Sequence, residues 1–400
     1  MKERMLYGLT TNRLTKAYNG FTLFSVLGSK TVKLINMKGK TVHSWEMPNK
    51  AGLYGELLEN ENLLYAGYDE NGPLKDFEGA GGVIMEVDWN GKTIWEYKDP
   101  YLHHGFCRMK NGNTLAIKWV ELSDDLASKV EGGFPNSEKD GKMYGDAIIE
   151  LDQTGKVVWQ WNAFEKLDPK DDPIYPTVER KQWTTANSVY ELDNGKILIS
   201  FRRICTLAII NKSTGEIEWK WGAHEISHQN SAVGLENGNI LFFDNGFHQE
   251  GIHHPFSRVV ELDIEKKSMV WEYRDRDNDN INLFSDFMAS CQRLPNGNTL
   301  IVDSVWGRIF EVTKGNEIVW EYVNPEFNNF IDYGNHNVVT RAFRYGVDHP
   351  GLKGNKELRL GQFIQTEADI EKIKRIQSGG KEPEPKSDSS VQSRLEQLGY

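Results

Sequence analysis

The 400-residue sequence has few cysteines and no long apolar run. Its three cysteines, Cys107, Cys205 and Cys291, lie about ninety residues apart and form no Cys-x-x-Cys pair. This spacing predicts free thiols, not a disulfide framework or a cysteine-based zinc site. The apolar runs, such as residues 240–243, are far shorter than the roughly 18 residues that a membrane-spanning helix needs. The sequence therefore predicts no transmembrane helix and no membrane partner.

The sequence also lacks an excess of positive charge. It has 47 Lys and Arg against 58 Asp and Glu, which gives a net charge of −11. Because counterion release on nucleic acid needs a basic surface, we expect no nucleic-acid partner. The first 14 residues carry no apolar segment of the kind found in secretory signal peptides, so we expect a cytoplasmic protein. The oligomeric state is left open, with a homo-oligomer as one alternative.

Common catalytic and metal-binding signatures are missing as well. The motifs G-x-S-x-G, G-x-G-x-x-G, P-loop and H-E-x-x-H do not occur, so we expect no nucleotide or other cofactor. The histidines His248, His253 and His254 lack a regular ligand spacing, which favours a solvated loop. The acidic run from Asp275 to Asp286 lacks the Gly and the final Glu of an EF-hand. We therefore expect no bound metal.

What the sequence does contain is an internal repeat. A tryptophan followed two residues later by a large side chain occurs six times, at spacings of 50, 64, 60, 52 and 49 residues. The tryptophans are Trp45, Trp95, Trp159, Trp219, Trp271 and Trp320. Most of them close an alternating apolar segment that turns at a glycine, which is the pattern of a β-hairpin. Their repeated position favours packing between repeats over stacking on a ligand.

A second pattern, an Asn-Gly or Asn-x-Asn turn, precedes each tryptophan. It lies at residues 19–20, 60–62, 111–113, 194–195, 237–239 and 296–298. Because such turns join antiparallel strands, each repeat holds two hairpins and therefore four strands. Six units of this kind, without helical periodicity before residue 366, predict an all-β, six-bladed propeller with four-stranded antiparallel blades.

The two ends of the repeat region are each incomplete. Residues 337–344 resemble an inner strand without its own turn, and the first repeat has a turn without a clear strand before it. We expect the N- and C-terminal strands to complete one blade and so close the ring. Residues 1–365 would form the propeller. Residues 366–400 would form a tail with a helix over 366–377, a linker and a short second helix.

Polar residues recur at matching positions of the predicted inner strands, counted back from each turn. They are His104, Thr185, Asn187, His228, Asn230 and, assigned by pattern in the closing blade, Asn337. Because side chains two apart share a strand face, we expect these residues to converge near one mouth of the channel. Arg202 or Arg203, just after the strand at 197–200, is expected to join them as an anion clamp. Two interpretations stay open here: a ligand pocket, or polar groups that satisfy the backbone in a wet channel.

Several strings recur together in one order: residues 31–45, the His103-His104 segment leading into 111–115, 183–189, 228–246 and 341–351. On these strings the chain resembles the aryl-sulfate sulfotransferase family over roughly residues 18–352. The resemblance implies a six-bladed propeller that moves a sulfuryl group from an aryl sulfate to a phenol, without a nucleotide, through a sulfated histidine. It implies that His104 is a pocket histidine beside His103. It also implies that Asn187 matches a pocket asparagine, and that Arg202 or Arg203 binds sulfate.

The sequence departs from the family pattern at two sensitive places. Where the resemblance implies His-Gln-His with the sulfated histidine last, this chain has His228-Gln229-Asn230, and Thr185 replaces a second expected histidine. Because the nitrogen lone pair of an amide is delocalised, Asn230 cannot be the nucleophile.

Three functions therefore remain open. The first is sulfuryl transfer to a phenolic acceptor with His104 or His228 as nucleophile or base and Arg202 as anion clamp. Its substrate contacts would come from His103, Thr185, Asn187, Arg203, Asn230 and Asn337. The second is acid/base chemistry of a lyase, isomerase or hydrolase on an aromatic small molecule, with His104 as base. The third is a propeller that only binds its ligand.

Overall fold

The computed structural model describes residues 6–248, 255–277, 280–330 and 334–352. The strands of its first half are β1 (Gly8–Asn12), β2 (Gly20–Val26), β3 (Thr31–Ile35), β4 (Thr41–Glu46), β5 (Ala51–Leu57), β6 (Leu63–Tyr68), β7 (Gly82–Val87), β8 (Thr93–Lys98), β9 (Leu102–Arg108), β10 (Thr114–Glu121), β11 (Gly132–Phe134), β12 (Tyr144–Leu151), β13 (Val157–Asn162) and β14 (Ile174–Glu179). The helix α1 (Asp124–Lys129) and a 3₁₀ turn (Ala163–Glu165) lie between them.

The strands of the second half are β15 (Ala186–Glu191), β16 (Ile197–Phe201), β17 (Thr206–Ile210), β18 (Ile217–Trp221), β19 (Asn230–Gly234), β20 (Ile240–Asp244), β21 (Arg258–Asp263), β22 (Ser268–Tyr273), β23 (Arg276–Asp277), β24 (Asn280–Ile281), β25 (Ser290–Arg293), β26 (Thr299–Asp303), β27 (Arg308–Val312), β28 (Ile318–Val323), β29 (Asn328–Asn329), β30 (Asn335–His336) and β31 (Val339–Gly346). Two 3₁₀ turns are Ser304–Trp306 and Pro350–Leu352.

These strands form six antiparallel blades in a ring, so the predicted six-bladed propeller is confirmed. From the inner to the outer strand, the blades are blade 1 (β31-β2-β3-β4), blade 2 (β5-β6-β7-β8), blade 3 (β9-β10-β12-β13), blade 4 (β15-β16-β17-β18), blade 5 (β19-β20-β21-β22) and blade 6 (β25-β26-β27-β28). Small two-stranded sheets, β11-β14, β23-β24 and β29-β30, lie outside them.

The ring closes through blade 1, as the sequence predicted. Strand β31 pairs antiparallel with β2, from Gly20 opposite Gly346 to Val26 opposite Val339. The sequence did not predict that β1 pairs with β28 as a fifth, outermost strand of blade 6. The predicted helical tail and the boundary at residue 365 lie outside the described residues.

Three of the six repeated tryptophans, and Trp161 two residues after a fourth, join neighbouring blades. Indole N–H groups of outer strands donate to backbone carbonyls in the last hairpin turn of the next blade: Trp45 to Asp88 at 3.2 Å, Trp161 to Gly215 at 2.8 Å, Trp271 to Lys314 at 3.0 Å and Trp320 to Met37 at 2.9 Å. A buried indole needs such a partner for its single donor. Trp45, Trp271 and Trp320 therefore act in packing between blades, whereas Trp95 donates to Glu86 within its own blade.

The Asn-x-Asn turns serve a second repeated contact. In four blades the last Asn of the turn donates to a Glu on the third strand: Asn62 to Glu86 at 2.7 Å, Asn113 to Glu150 at 2.7 Å, Asn239 to Glu261 at 2.7 Å and Asn298 to Glu311 at 2.6 Å. Each Glu also pairs with a cation of the following blade, namely Arg108, Lys212, Arg293 and Arg344. One carboxylate thus fixes both a turn and a blade boundary.

The three cysteines are free, as predicted. Within the described ranges, no helix is long and apolar enough to cross a membrane.

Candidate functional site

The candidate site lies where the inner strands meet at the propeller axis. In blades 1 to 5 the pairing of the inner strand with the second strand shifts at one point, which marks a β-bulge. In blade 3, for example, His103 pairs with Ile117 and Phe106 with Ala116, so His104 and Gly105 are unpaired. Because a bulge re-aims side chains, the inner strands present residues to the axis that regular pleating would place elsewhere.

A cavity of about 200 Å³ opens at this point. All six blades contribute to it through an inner strand or the residues just before one: Thr340 and Arg341 from blade 1, Leu53 from blade 2, His104 from blade 3, Asn187 from blade 4, Asn230 from blade 5 and Ala289 from blade 6. Connecting segments add Glu78, Gly79, Arg202, Phe247, Asp286, Phe287 and Met288. His104, Asn187, Asn230 and Arg202 were predicted to converge, and the structure brings these four together.

His104 has an unusual backbone conformation and a close neighbour. Its φ is +55°, in the left-handed region that a non-glycine residue rarely adopts. Its N–H donates to the Gly79 carbonyl at 2.7 Å, and a Cβ on Gly79 would lie only 2.3 Å from the His104 ring. Residue 79 must therefore be glycine for the loop to lie against this imidazole.

A series of close polar contacts connects the His104 ring to Asp146. Asp146 accepts the Ala186 N–H at 2.7 Å and the Thr184 hydroxyl through Oδ2, while its Oδ1 lies 3.1 Å from His103 Nε2. The two histidines meet through their Nδ1 atoms at 2.8 Å. His103 Nε2 is not aligned for a hydrogen bond to Asp146, but a proton on Nε2 would face the Asp146 oxygens, and His103 would then accept at Nδ1. In that tautomer His104 donates from Nδ1, which leaves the lone pair on its Nε2.

The surroundings also keep His104 neutral. Burial lowers the pKa of His104 well below its ordinary value, and the positive charges of Arg202, Arg341 and Arg203, together with His103, lower it further. A neutral imidazole with a free Nε2 can act as a nucleophile or as a general base.

Two guanidinium groups supply the positive side of the cavity. Arg202 contacts the Glu78 carboxylate through Nη1 and the Asp286 carbonyl through Nη2, both at 3.5 Å. Arg341 donates to the Asn187 carbonyl at 2.9 Å and lies over the Tyr54 ring at 4.4 Å. The long contacts of Arg202 leave its donors able to bind an anionic group, and Arg–anion pairs are strong when donors and acceptors match.

Two acidic groups line the same cavity and differ in their pKa shifts. Burial raises the pKa of Glu78, but the charges of Arg202, Arg203 and Lys181 outweigh it, so the net pKa lies below its usual range. Burial raises the pKa of Asp286, and the partial compensation by Arg202 does not reverse this. Glu78 is therefore the ionised carboxylate of the cavity, and Asp286 is the one more readily protonated.

The two asparagines differ in what they can offer a ligand. Asn187 donates through Nδ2 to the Gln229 carbonyl at 2.8 Å, which leaves its Oδ1 buried and, within the described ranges, without a partner. Asn230 accepts the Ser231 N–H at Oδ1, 2.8 Å away, so its Nδ2 is the group that can donate to a ligand.

The structure differs from the sequence prediction for four residues that were expected to contact substrate, and two of them are His103 and Thr185. His103 stacks on Trp119 at 4.3 Å between His104 and Asp146, behind the cavity lining. Thr185 donates to Gln182 at 2.9 Å, and Gln182 accepts the Trp119 indole at 3.2 Å. Both residues therefore position the relay and do not line the cavity.

Arg203 and Asn337 also lie outside the cavity lining. Arg203 follows Arg202 directly and is 1% exposed, with a hydrogen bond to the Glu179 carbonyl at 2.5 Å. Of the two arginines it is therefore Arg202 that faces the cavity. Asn337 donates to the backbone carbonyls of Trp306 at 3.1 Å and Asn324 at 3.0 Å. In blade 1 the place expected for Asn337 is taken by Thr340 and Arg341.

His228 lies beside the cavity and is fully buried. Its ring packs edge-on against Tyr175 and His248, with centroid distances of 5.1 and 5.6 Å. Among the described residues, neither ring nitrogen has a hydrogen-bond partner. Burial, followed by the charge of Arg202, lowers the pKa of His228 to about 2. The geometry thus gives His104, and not His228, the place at the cavity.

Sequence reasoning missed Arg341, Glu78 and Asp286. Arg341 was missed because the closing blade has no Asn-x-Asn turn from which to count, so the register was set at Asn337. Glu78 and Asp286 lie in connections between strands, where no repeat marks a position. In the described part of the chain, no group of three or more His, Cys, Asp or Glu side chains is arranged to hold a metal, and His253 and His254 lie outside that part.

The fold and the cavity define a propeller with a polar axial pocket lined by one neutral histidine and two arginines. The family model described as Arylsulfotransferase (ASST) matches residues 56–325, and the chain belongs to this family. A sequence comparison with curated proteins finds no match.

Solved structures with a similar fold include a protein of unknown function from Bacteroides caccae, with 13% identity and a TM-score of 0.52 over 82% of this chain and 98% of that chain. A catalytically inactive virginiamycin B lyase from Staphylococcus aureus with quinupristin has 12% identity and a TM-score of 0.43, over 82% of this chain and 91% of the lyase. At these identities the likeness concerns the fold alone.

Proposed function

We propose that the chain moves a sulfuryl group from an aryl sulfate to a phenolic acceptor in the axial cavity. The observation that carries the proposal is the contact series Asp146–His103–His104, which ends at an imidazole that lines a cavity together with Arg202 and Arg341. Membership of the arylsulfotransferase family supports this reaction class.

The first half-reaction would use His104 as the nucleophile. Its Nε2 lone pair attacks sulfur, an N–S bond forms, the bond from sulfur to the aryl oxygen breaks and the phenolate leaves. The positive charge that develops on the imidazole is stabilised through His103 by the carboxylate of Asp146. Arg202 and Arg341 would stabilise the charge spread over the three sulfuryl oxygens, as preorganised donors do in phosphoryl transfer.

The second half-reaction returns the sulfuryl group to oxygen. The acceptor hydroxyl attacks sulfur, the N–S bond breaks and His104 is regenerated. The acceptor loses one proton and the departed phenolate gains one, so the two half-reactions together are balanced. Asn230 would contribute a hydrogen bond through its Nδ2 and no bond to sulfur, because an amide nitrogen is not nucleophilic.

The test is incubation with 4-nitrophenyl sulfate and excess phenol, with nitrophenolate absorbance and intact-protein mass as readouts. We expect nitrophenolate release, phenyl sulfate formation and an adduct of sulfuryl mass. In His104→Asn, where Asn tolerates the positive φ, both signals should fall by about a hundredfold or more.

Two variants serve as controls. His224 is exposed and has a φ of +69°, so His224→Asn repeats the same chemical change away from the cavity and should leave turnover unchanged. His228→Asn should retain the adduct if His104 is the nucleophile. An adduct that survives in His104→Asn and disappears in His228→Asn would reverse the assignment.

A second function is favoured by one observation, the raised pKa of Asp286 at the same cavity as His104. A neutral base and a carboxyl group with a raised pKa form the kind of pair that a lyase, isomerase or hydrolase uses. This alternative predicts turnover of an aromatic substrate without a sulfuryl adduct, and with loss of activity in Asp286→Asn.

A further inference from the structure

A second chamber of about 130 Å³ adjoins the axial cavity. Its apolar lining comes from Leu27, Tyr68, Phe77 and Phe330, which belong to one buried apolar cluster and are at most 7% exposed. Lys75 and Asp76, both exposed, also line it and carry opposite charges.

The chamber and the cavity share part of their lining. Leu53, Glu78, Gly79 and Met288 line both. A ligand with its polar group between the arginines can therefore extend past these residues without leaving the protein. Apolar pockets with a few convergent polar groups are the usual form of small-molecule sites, because water in the apolar part makes few hydrogen bonds.

Glu78 lies where the two spaces meet, and among the four residues that line both it is the one with an ionisable side chain. Its carboxylate is within 3.5 Å of Arg202 and 3.6 Å of Arg203, which favours its ionised form. An anionic group on Arg202 can be accommodated because Arg341 brings a second positive charge to the cavity. A second anionic group placed in the chamber would face the carboxylates of Glu78 and Asp76 and apolar side chains, with Lys75 at the exposed side.

We propose that the second chamber binds the apolar body of the ligand and that Glu78 rejects bodies that carry a second negative charge. The ligand class is then an aryl compound with one anionic group and an otherwise neutral body. The identity of the anionic group as a sulfate ester rests on the proposed function. The binding of the apolar body in the chamber, and the rejection of a second negative charge by Glu78, which we call the charge rule, do not.

The first test measures binding by calorimetry with the full chain and with methyl, phenyl, 2-naphthyl and 4-carboxyphenyl sulfate as probes. The aryl sulfates should bind roughly tenfold or more tightly than methyl sulfate, since only they have a body to bury. The carboxyphenyl ester should bind more weakly than the phenyl ester. Equal affinities for methyl and phenyl sulfate would contradict binding of the aryl group in the chamber. Equal affinities for the phenyl and carboxyphenyl esters would contradict the rejection of a second negative charge by Glu78.

The second test fills the chamber. Leu27 lines the chamber but not the axial cavity. Leu27→Trp should therefore lower the affinity for 2-naphthyl sulfate by roughly tenfold and leave the affinity for methyl sulfate unchanged. Leu27→Met, which conserves volume, is the matched control and should bind both like the parent chain. Unchanged methyl sulfate binding and an unchanged melting temperature show that the variant is folded. Undiminished naphthyl binding in a folded Leu27→Trp would rule the chamber out.

The third test changes the charge at the junction. Glu78→Gln removes the carboxylate beside Arg202 and is expected to raise the affinity for all of the sulfate esters. The informative quantity is therefore the ratio of the affinity for the carboxyphenyl ester to the affinity for the phenyl ester. This ratio should rise by roughly tenfold in Glu78→Gln and stay constant in Glu70→Gln, whose carboxylate is exposed and pairs with Lys50. A constant ratio in Glu78→Gln contradicts the charge rule.

Binding and turnover separate this inference from the proposed function. Aryl sulfates that bind with the predicted order but form no adduct would leave the chamber in place and overturn sulfuryl transfer. Turnover of phenyl sulfate and methyl sulfate with the same KM would support sulfuryl transfer and contradict binding of the aryl group in the second chamber.

Discussion

At the scale of single residues, the proposed chemistry depends on which nitrogen of His104 carries the proton. Asp146→Asn keeps the size of the side chain but puts an amide N–H opposite His103 Nε2. His103 would then donate from Nδ1, and the proton of His104 would move to Nε2. We expect kcat to fall by about a hundredfold or more while KM changes little, because the wrong tautomer binds substrate but cannot attack.

The ¹⁵N shifts of the His104 ring should report the tautomer change directly, which a purely structural role of Asp146 would not produce. Asp193→Asn, at an exposed ion pair with Lys110, is the matched control and should behave like the parent chain. An unchanged kcat in Asp146→Asn would remove the relay from the mechanism.

The sequence predicted only part of this residue-scale arrangement. Period-two counting placed His104, Asn187 and Asn230 correctly at the axis, because their turns fix the register. It placed Thr185 there as well, although its hydroxyl bonds Gln182 behind the lining. The reason is the bulge in the inner strands of blades 1 to 5, which shifts the side-chain alternation and has no composition signal in a single sequence.

At the scale of structural elements, the carboxylates on third strands hold hairpin turns and blade boundaries together. Glu86 accepts from Asn60 at 3.0 Å, Asn62 at 2.7 Å and the Trp95 indole at 3.1 Å, and it pairs with Arg108. Glu86→Ala should lower the free energy of unfolding by about 1–3 kcal/mol, since it leaves several partly buried donors unpaired.

Denaturant unfolding checks this value, with Glu96→Ala as the control because Glu96 is an exposed residue of strand β8 that pairs with Lys98. A loss for Glu86→Ala as small as that for Glu96→Ala would show that the repeated contact contributes little. The sequence predicted the turns themselves but not their carboxylate partners, because a Glu in an alternating strand looks like any solvent-facing residue.

At the scale of the whole molecule, stability depends on a strand that joins the two ends of the described chain. Without β31, strand β2 would expose an edge of seven buried residues. A chain that ends at residue 337 should therefore aggregate or melt at a lower temperature. A synthetic peptide of residues 338–347 should restore the melting temperature in trans, and a scrambled peptide of the same composition should not. Rescue by both peptides, or by neither, would contradict strand closure as the cause.

The same strand carries Thr340 and Arg341 to the cavity, whereas His104, Asn187 and Arg202 come from blades 3 and 4. During synthesis the ribosome delivers the blades in order, so a growing chain has its histidine and one arginine long before it has the second arginine. Half of the positive charge of the pocket thus arrives with the strand that completes the ring. A partly made chain can hold neither the closed ring nor the complete lining of the cavity.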